Sequence, residues 1–159
     1  MRKFIYIITL FCSLTMVVQA QQGVVLRTID GKPCDVGELV KEGHVTVISF
    51  FATWCKPCLR ELTSINDDYD EWQDAGVSFV AVSIDTAQDS EKVCPLVQGN
   101  AWDFTVLLDP EGELKRQLQV QTVPHTVVFD KHGKIVETHT GYTDGDEKRL
   151  FSMAKGMVD

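Results

Sequence analysis

The chain has 159 residues, 44% of them apolar, with 15 basic against 23 acidic side chains and a formal net charge of −8. That balance argues against nucleic acid and anionic membrane as partners, since both are bound through basic patches. The length beyond the N-terminal apolar stretch, about 139 residues, suits one domain with its own core.

Arg2 and Lys3 precede an almost wholly apolar run from Phe4 to Val18, and Val18-Gln19-Ala20 offers small residues for cleavage. This is the layout of a secretory signal peptide over residues 1–20, leaving 21–159 as the folded domain. The run is shorter than the roughly 18 residues of a spanning helix, and an uncleaved membrane anchor is the alternative. Cys12 follows bulky Leu10 and Phe11 and is not read as a lipid-attachment site. Without Arg2 and Lys3 the balance is 13 basic to 23 acidic side chains, a formal −10. Export would carry Cys34, Cys55, Cys58 and Cys94 to a compartment where disulfides persist.

Val24 to Ile29 reads as a first strand, closed by the turn Asp30-Gly31-Lys32-Pro33. Cys34 to Glu42 is expected to hold a short helix around Val36, Leu39 and Val40, stopped by Gly43. His44 to Ala52 is apolar and rich in β-branched residues, the signature of a buried central strand. From Pro57 a helix is expected to run to Gly76, with Leu59, Leu62, Ile65, Tyr69 and Trp72 as one apolar stripe. Val77 to Ile84 is a further strand, covered on both faces. Thr86 to Gly99 looks helical, with Pro95 expected to break or kink it near Cys94. Thr105 to Leu108 is a short strand, and Asp109-Pro110 opens a helix carrying Leu114 and Leu118. Thr122 to Phe129 reads as a strand containing Pro124, followed by the hairpin turn Asp130-Lys131-His132-Gly133 and a strand from Lys134 to Thr140. After the loop Gly141 to Gly145, Asp146 is expected to cap a last helix with Leu150, Phe151, Met153 and Met157 inside. Alternating strands and helices imply an α/β domain: a parallel sheet covered by helices, made mixed by the closing hairpin.

The chemistry concentrates where the central strand ends. Cys55-Lys56-Pro57-Cys58 stands at a strand-to-helix junction, and proline fits the first helical turn. Cys55 then lies at a helix N-terminus, where free N–H groups and the dipole favour a thiolate. A Cys-x-x-Cys at such a place points to redox exchange. A zinc site would need a second pair of ligands, and haem attachment a histidine where Leu59 stands, so no metal or cofactor is implied. Glu61 follows Cys58 by three residues and returns to nearly the same helical face. Buried there, its carboxyl would have a raised pKa and could exchange protons with Cys58; otherwise it is a solvated helix charge.

Four motifs in order resemble thioredoxin, and more narrowly its exported TlpA/ResA branch. They are Phe-Phe-Ala-Thr-Trp-Cys with its second cysteine, Glu61, Val-Ser-Ile-Asp at the end of the next strand, and Thr-Val-Pro-His-Thr some 66 residues after Cys58. The resemblance implies a thioredoxin-like fold, a central mixed sheet flanked by helices with an N-terminal strand extension. It implies that Cys55 is the exposed attacking thiol, Cys58 the buried resolving thiol and Glu61 a proton partner. Pro124 would be a cis-proline facing the dithiol, with Val123 presenting its backbone to substrate. Ser49 stands where cytoplasmic thioredoxins carry a buried aspartate, so Glu61 would take over that aspartate's part.

Trp54 either covers the site and contacts substrate or packs in the core. His125, next to Pro124, either lies near the sulfurs or simply faces solvent. Cys34 and Cys94 are separate thiols, a structural bridge or a second redox pair, and a bridge requires Cα atoms within about 7 Å. The expectation is a monomeric exported thiol–disulfide oxidoreductase, a reductant supplied by a membrane electron donor. Its partners would be disulfide-containing exported proteins, with the haem-attachment cysteines of apocytochromes c among the substrates the resemblance suggests. An oxidase or isomerase, and a non-catalytic binding module of the cell envelope, are the rival readings.

Overall fold

Strand β3 (Val45–Phe51) is buried at all seven positions, so both of its faces must be covered by protein. The computed structural model describes residues 23–40 and 43–158; the signal peptide or anchor expected over 1–20 lies outside the described residues. β3 pairs in parallel with β4 (Val77–Ser83), which pairs in parallel with β5 (Thr105–Leu108). On its other side β3 meets β6 (His125–Phe129) antiparallel, and β6 makes the closing hairpin with β7 (Ile135–Thr140). β1 (Val25–Thr28) adds antiparallel to β5, and β2 (Pro33–Asp35) to β1, giving the order β2-β1-β5-β4-β3-β6-β7.

The period-two pleat of β3 divides the core. Val45, Val47 and Phe51 pack with Leu62, Ile65, Trp72, Val97 and Leu150, on the side of helices α2 (Lys56–Asp67), α3 (Tyr69–Asp74), α4 (Val93–Gly99) and α6 (Asp146–Lys155). Ile48 and Phe50 pack with Val36, Val40 and Leu114, on the side of α1 (Val36–Leu39) and α5 (Glu113–Gln117). Ser49 therefore points toward α2, a polar group in an otherwise apolar face.

Five expectations are corrected. The long helix from Pro57 is two helices, broken at Asp68 (φ −113°, ψ 14°). Asn66-Asp67-Asp68 is a run of weak helix formers, and Asn66 turns its amide outward to donate to the Ala101 carbonyl (3.2 Å) and accept from the Asp103 N–H (2.8 Å). Cys34 lies in β2 opposite Leu26, not in a helix, because Asp35 caps α1 through the N–H groups of Gly37 and Glu38 (2.8 and 3.2 Å). Pro95 breaks nothing: α4 begins at Val93, so the proline falls in the first turn, where its missing N–H has no helical partner to lose. Pro124 precedes β6 and is not inside it. Asp146 is the first residue of α6, not its cap; Gly145, at φ +100°, holds that place, and the Asp146 carboxylate accepts from the Thr143 N–H (2.8 Å). No disulfide joins Cys34 to Cys94; one lies on the sheet-edge strand β2, the other in α4.

Candidate active site

The chain leaves β3 at Phe51 and makes a tight turn, closed by the Cys55 N–H donating to the Ala52 carbonyl (3.0 Å). Cys55 takes extended backbone angles (φ −89°, ψ 93°) as the N-cap of α2, and its Sγ accepts from the Cys58 N–H at 3.3 Å. A sulfur thus occupies the position that a serine or aspartate oxygen usually fills, facing the positive end of the helix. Pro57 sits in the first turn, where a missing N–H removes no helical bond. Cys55 and Cys58 are joined by a disulfide, with Cα atoms 5.3 Å apart. Cys55 is 5% exposed and Cys58 fully buried, so of the two only Cys55 reaches the surface at all.

One turn further along α2, Glu61 is 3% exposed on the face that meets the sheet. Ser49 Oγ donates to one carboxylate oxygen (3.1 Å) and Thr126 Oγ1 to the other (3.3 Å). Its pKa is raised to about 7: burial pushes it up most, the two hydroxyls hold it down against that, and the charges of Asp146 and Glu147 add to the rise. Hydroxyls can donate to a carboxylate or accept from a carboxylic acid, so they serve Glu61 in either protonation state.

The Val123–Pro124 peptide bond is cis. The β3–β6 register pairs Phe50 with His125, so Pro124 comes beside Phe51, at the strand end that leads to Cys55. The Pro124 carbonyl accepts from the Gly141 N–H (2.9 Å), and Val123 packs against the core cluster that holds Cys55 and Cys58. His125 Nδ1 lies 2.7 Å from Thr140 Oγ1; burial first and His139 second hold its pKa below the ordinary value. Trp54 is 68% exposed, which excludes core packing and leaves an indole standing free beside Cys55.

Two further side chains of this site lie in the quoted motifs but gain a role only from the fold. Thr126 is Ser49's direct partner across β3–β6, and only the strand register reveals that it reaches Glu61. Asp85, the acid of Val-Ser-Ile-Asp, is buried and bonded to Thr53. Among the described residues, no cluster of three His, Cys, Asp or Glu side chains could hold a metal ion.

Residues 18–138 match the model of the AhpC/TSA family. The chain is 27% identical over 117 residues to sporulation thiol-disulfide oxidoreductase A of Bacillus subtilis, covering 73% of this chain and 69% of that protein. It is 28% identical over 117 residues to thiol-disulfide oxidoreductase ResA of Halalkalibacterium halodurans, covering 74% of this chain and 64% of that one. A solved thioredoxin-like protein from Porphyromonas gingivalis superposes with a TM-score of 0.73 at 47% identity, over 85% of this chain and 89% of its own.

Proposed function

The chain belongs to the AhpC/TSA family with a thioredoxin-like fold, and we propose that it is a thiol–disulfide oxidoreductase acting outside the cytoplasm as a reductant. The observation that carries this reading is the pairing of a cysteine at the mouth of α2 with a buried carboxyl one turn beyond its partner.

In the reduced protein the Cys55 thiolate attacks one sulfur of a substrate disulfide, forming a mixed disulfide and releasing the other substrate sulfur as a thiolate that takes a proton from water. The Cys58 thiol gives its proton to the Glu61 carboxylate as its sulfur attacks the Cys55 sulfur. The bond between Cys55 and the substrate breaks, the second substrate sulfur leaves as a thiolate that takes a proton from water, and the Cys55–Cys58 disulfide remains. Two electrons pass to the substrate. Glu61, with a pKa near 7, is poised to take a proton and return it on re-reduction.

Glu61 also bears on direction. Strongly oxidising dithiols owe their potential to a stabilised thiolate. An ionisable acid beside Cys58, bonded by neutral hydroxyls, opposes negative charge on that sulfur and so favours the disulfide form, which makes the dithiol reducing. Such a protein needs electrons from a donor in the membrane. Its substrates are disulfides of exported proteins, apocytochrome c among them. Trp54 on one side and Val123-Pro124 on the other would receive the substrate segment.

Equilibration with glutathione tests direction, and reduction of insulin tests activity. The expected potential lies well below the roughly −120 mV of a strong oxidant such as DsbA, and Cys55→Ser should abolish insulin reduction. A potential near that oxidant's value would make the protein an oxidase, and equal insulin reduction by parent and Cys55→Ser would make it a binding module.

A further inference from the structure

Asp85 lies two residues past the end of β4 and is 2% exposed. A carboxylate taken out of water must be surrounded by donors. Two arms come from one residue, Thr53: its N–H lies 2.9 and 3.2 Å from the two carboxylate oxygens, and its hydroxyl donates at 2.7 Å. The third is the Ser83 hydroxyl, at 2.7 Å, which is itself aimed by accepting the Asp85 N–H at 3.1 Å. Just before this, the Ile84 N–H donates to the Phe51 carbonyl at 2.9 Å. The end of β4 therefore grips the departing chain at Phe51 and again at Thr53, past the last ladder bond of β3.

Thr53 sits inside the turn that delivers Cys55 to α2, between Ala52 and the Cys55 N–H bonded to it. That turn decides whether the Cys55 sulfur lines up with the Cys58 N–H. We propose that Asp85 is a positioning residue: by holding Thr53 it keeps Cys55 in register with the first turn of α2, and so sets how much thiolate Cys55 carries. The inference rests on the proposed redox role of the dithiol and names a residue outside the Cys-x-x-Cys segment that tunes it. Position and charge act in opposite directions here. Losing the grip withdraws the helix N–H groups from the thiolate and makes it scarcer, whereas losing the carboxylate's charge alone would make it more abundant.

The test is the pH dependence of Cys55 alkylation in the reduced full chain, read peptide by peptide so that Cys34, Cys58 and Cys94 are followed separately. Asp85→Ala should lower the Cys55 thiolate fraction at pH 7 about fivefold to tenfold, the size of a lost cap. Asp85→Asn can still accept the Thr53 N–H and should stay within about twofold of the parent. Thr53→Val, which keeps the backbone arm and loses the hydroxyl, should fall between them. An unchanged Cys55 profile in Asp85→Ala, even with a lowered melting temperature, overturns the proposal, as does an increase of thiolate in both Asp85 variants. If Asp85→Ala does not fold, a Thr53→Val profile identical to the parent overturns it. Faster alkylation of Cys58 than of Cys55 in the parent would instead overturn the functional reading on which the proposal rests.

Discussion

Ser49 and Thr126 stand directly opposite each other across the β3–β6 ladder, and their hydroxyls bind the two oxygens of the Glu61 carboxyl. A carboxyl held by a cation in that place would be locked in its charged form. Held by two hydroxyls in the buried core, it titrates near neutrality, as the proton exchange proposed for it requires.

The raised pKa has a consequence for stability. Folded, Glu61 titrates near 7 against an ordinary 4.5, so between these values the native chain holds a proton that the unfolded chain has lost. The stabilising effect is complete below about pH 4.5 and is lost as pH rises through 7, amounting to roughly 3 kcal/mol. Glu61→Gln, always neutral, should gain on the parent by about that amount between pH 4 and pH 8. Urea unfolding of the oxidised proteins at both pH values checks it; a stability difference that does not change with pH would contradict it.

Each hydroxyl pulls Glu61 down against the effect of burial. Ser49→Ala and Thr126→Val should therefore each move its titration above 7, and together further still. Carbon NMR of labelled glutamate carboxyls reads the midpoint directly. A downward shift in either variant would show that the hydroxyls do not act as placed.

Trp54→Ala removes a side chain that packs against little. Stability should change by no more than about 0.5 kcal/mol, while exchange with peptide disulfides slows through a raised KM. Thermal unfolding and exchange kinetics together decide the matter, and unaltered kinetics would remove Trp54 from the substrate-facing wall.

Leu62→Ala probes the other function of α2. Leu62 is fully buried under the sheet, next to Glu61. Truncation should cost about 2–5 kcal/mol, measured by denaturant unfolding. A cost under about 1 kcal/mol would mean that α2 is not anchored there.

Much of this was legible before folding because the signals were local. A short continuous run rich in β-branched residues favours a covered strand, and Cys-Lys-Pro-Cys opening an amphipathic helix fixes where the sulfurs meet the dipole. Two of the errors share a cause. Pro95 and Asp146 invite a reading from residue type, yet whether a proline breaks or an aspartate caps depends on where the helix starts, to within a turn; the break at Asp68 carries no proline or glycine to mark it. Thr126 and Asp85 lie within the quoted motifs, but their partners are hidden for another reason: these lie 65 and 32 residues away, and only the folded sheet brings them together. In the sequence Ser49 stands out as a missing acid, whereas the fold uses it as a hydroxyl donor to the acid on α2.

The most direct test of the dithiol account is capture of the exchange intermediate. Cys58→Ser and Cys55→Ser chains, each reduced, are to be incubated with a disulfide-containing exported protein and separated without reductant. Cys58→Ser should accumulate a mixed disulfide whose bond maps to Cys55, and Cys55→Ser should accumulate none. An adduct formed through Cys58 in Cys55→Ser, with none on Cys55 in the other variant, would contradict the assignment of the attacking and resolving thiols.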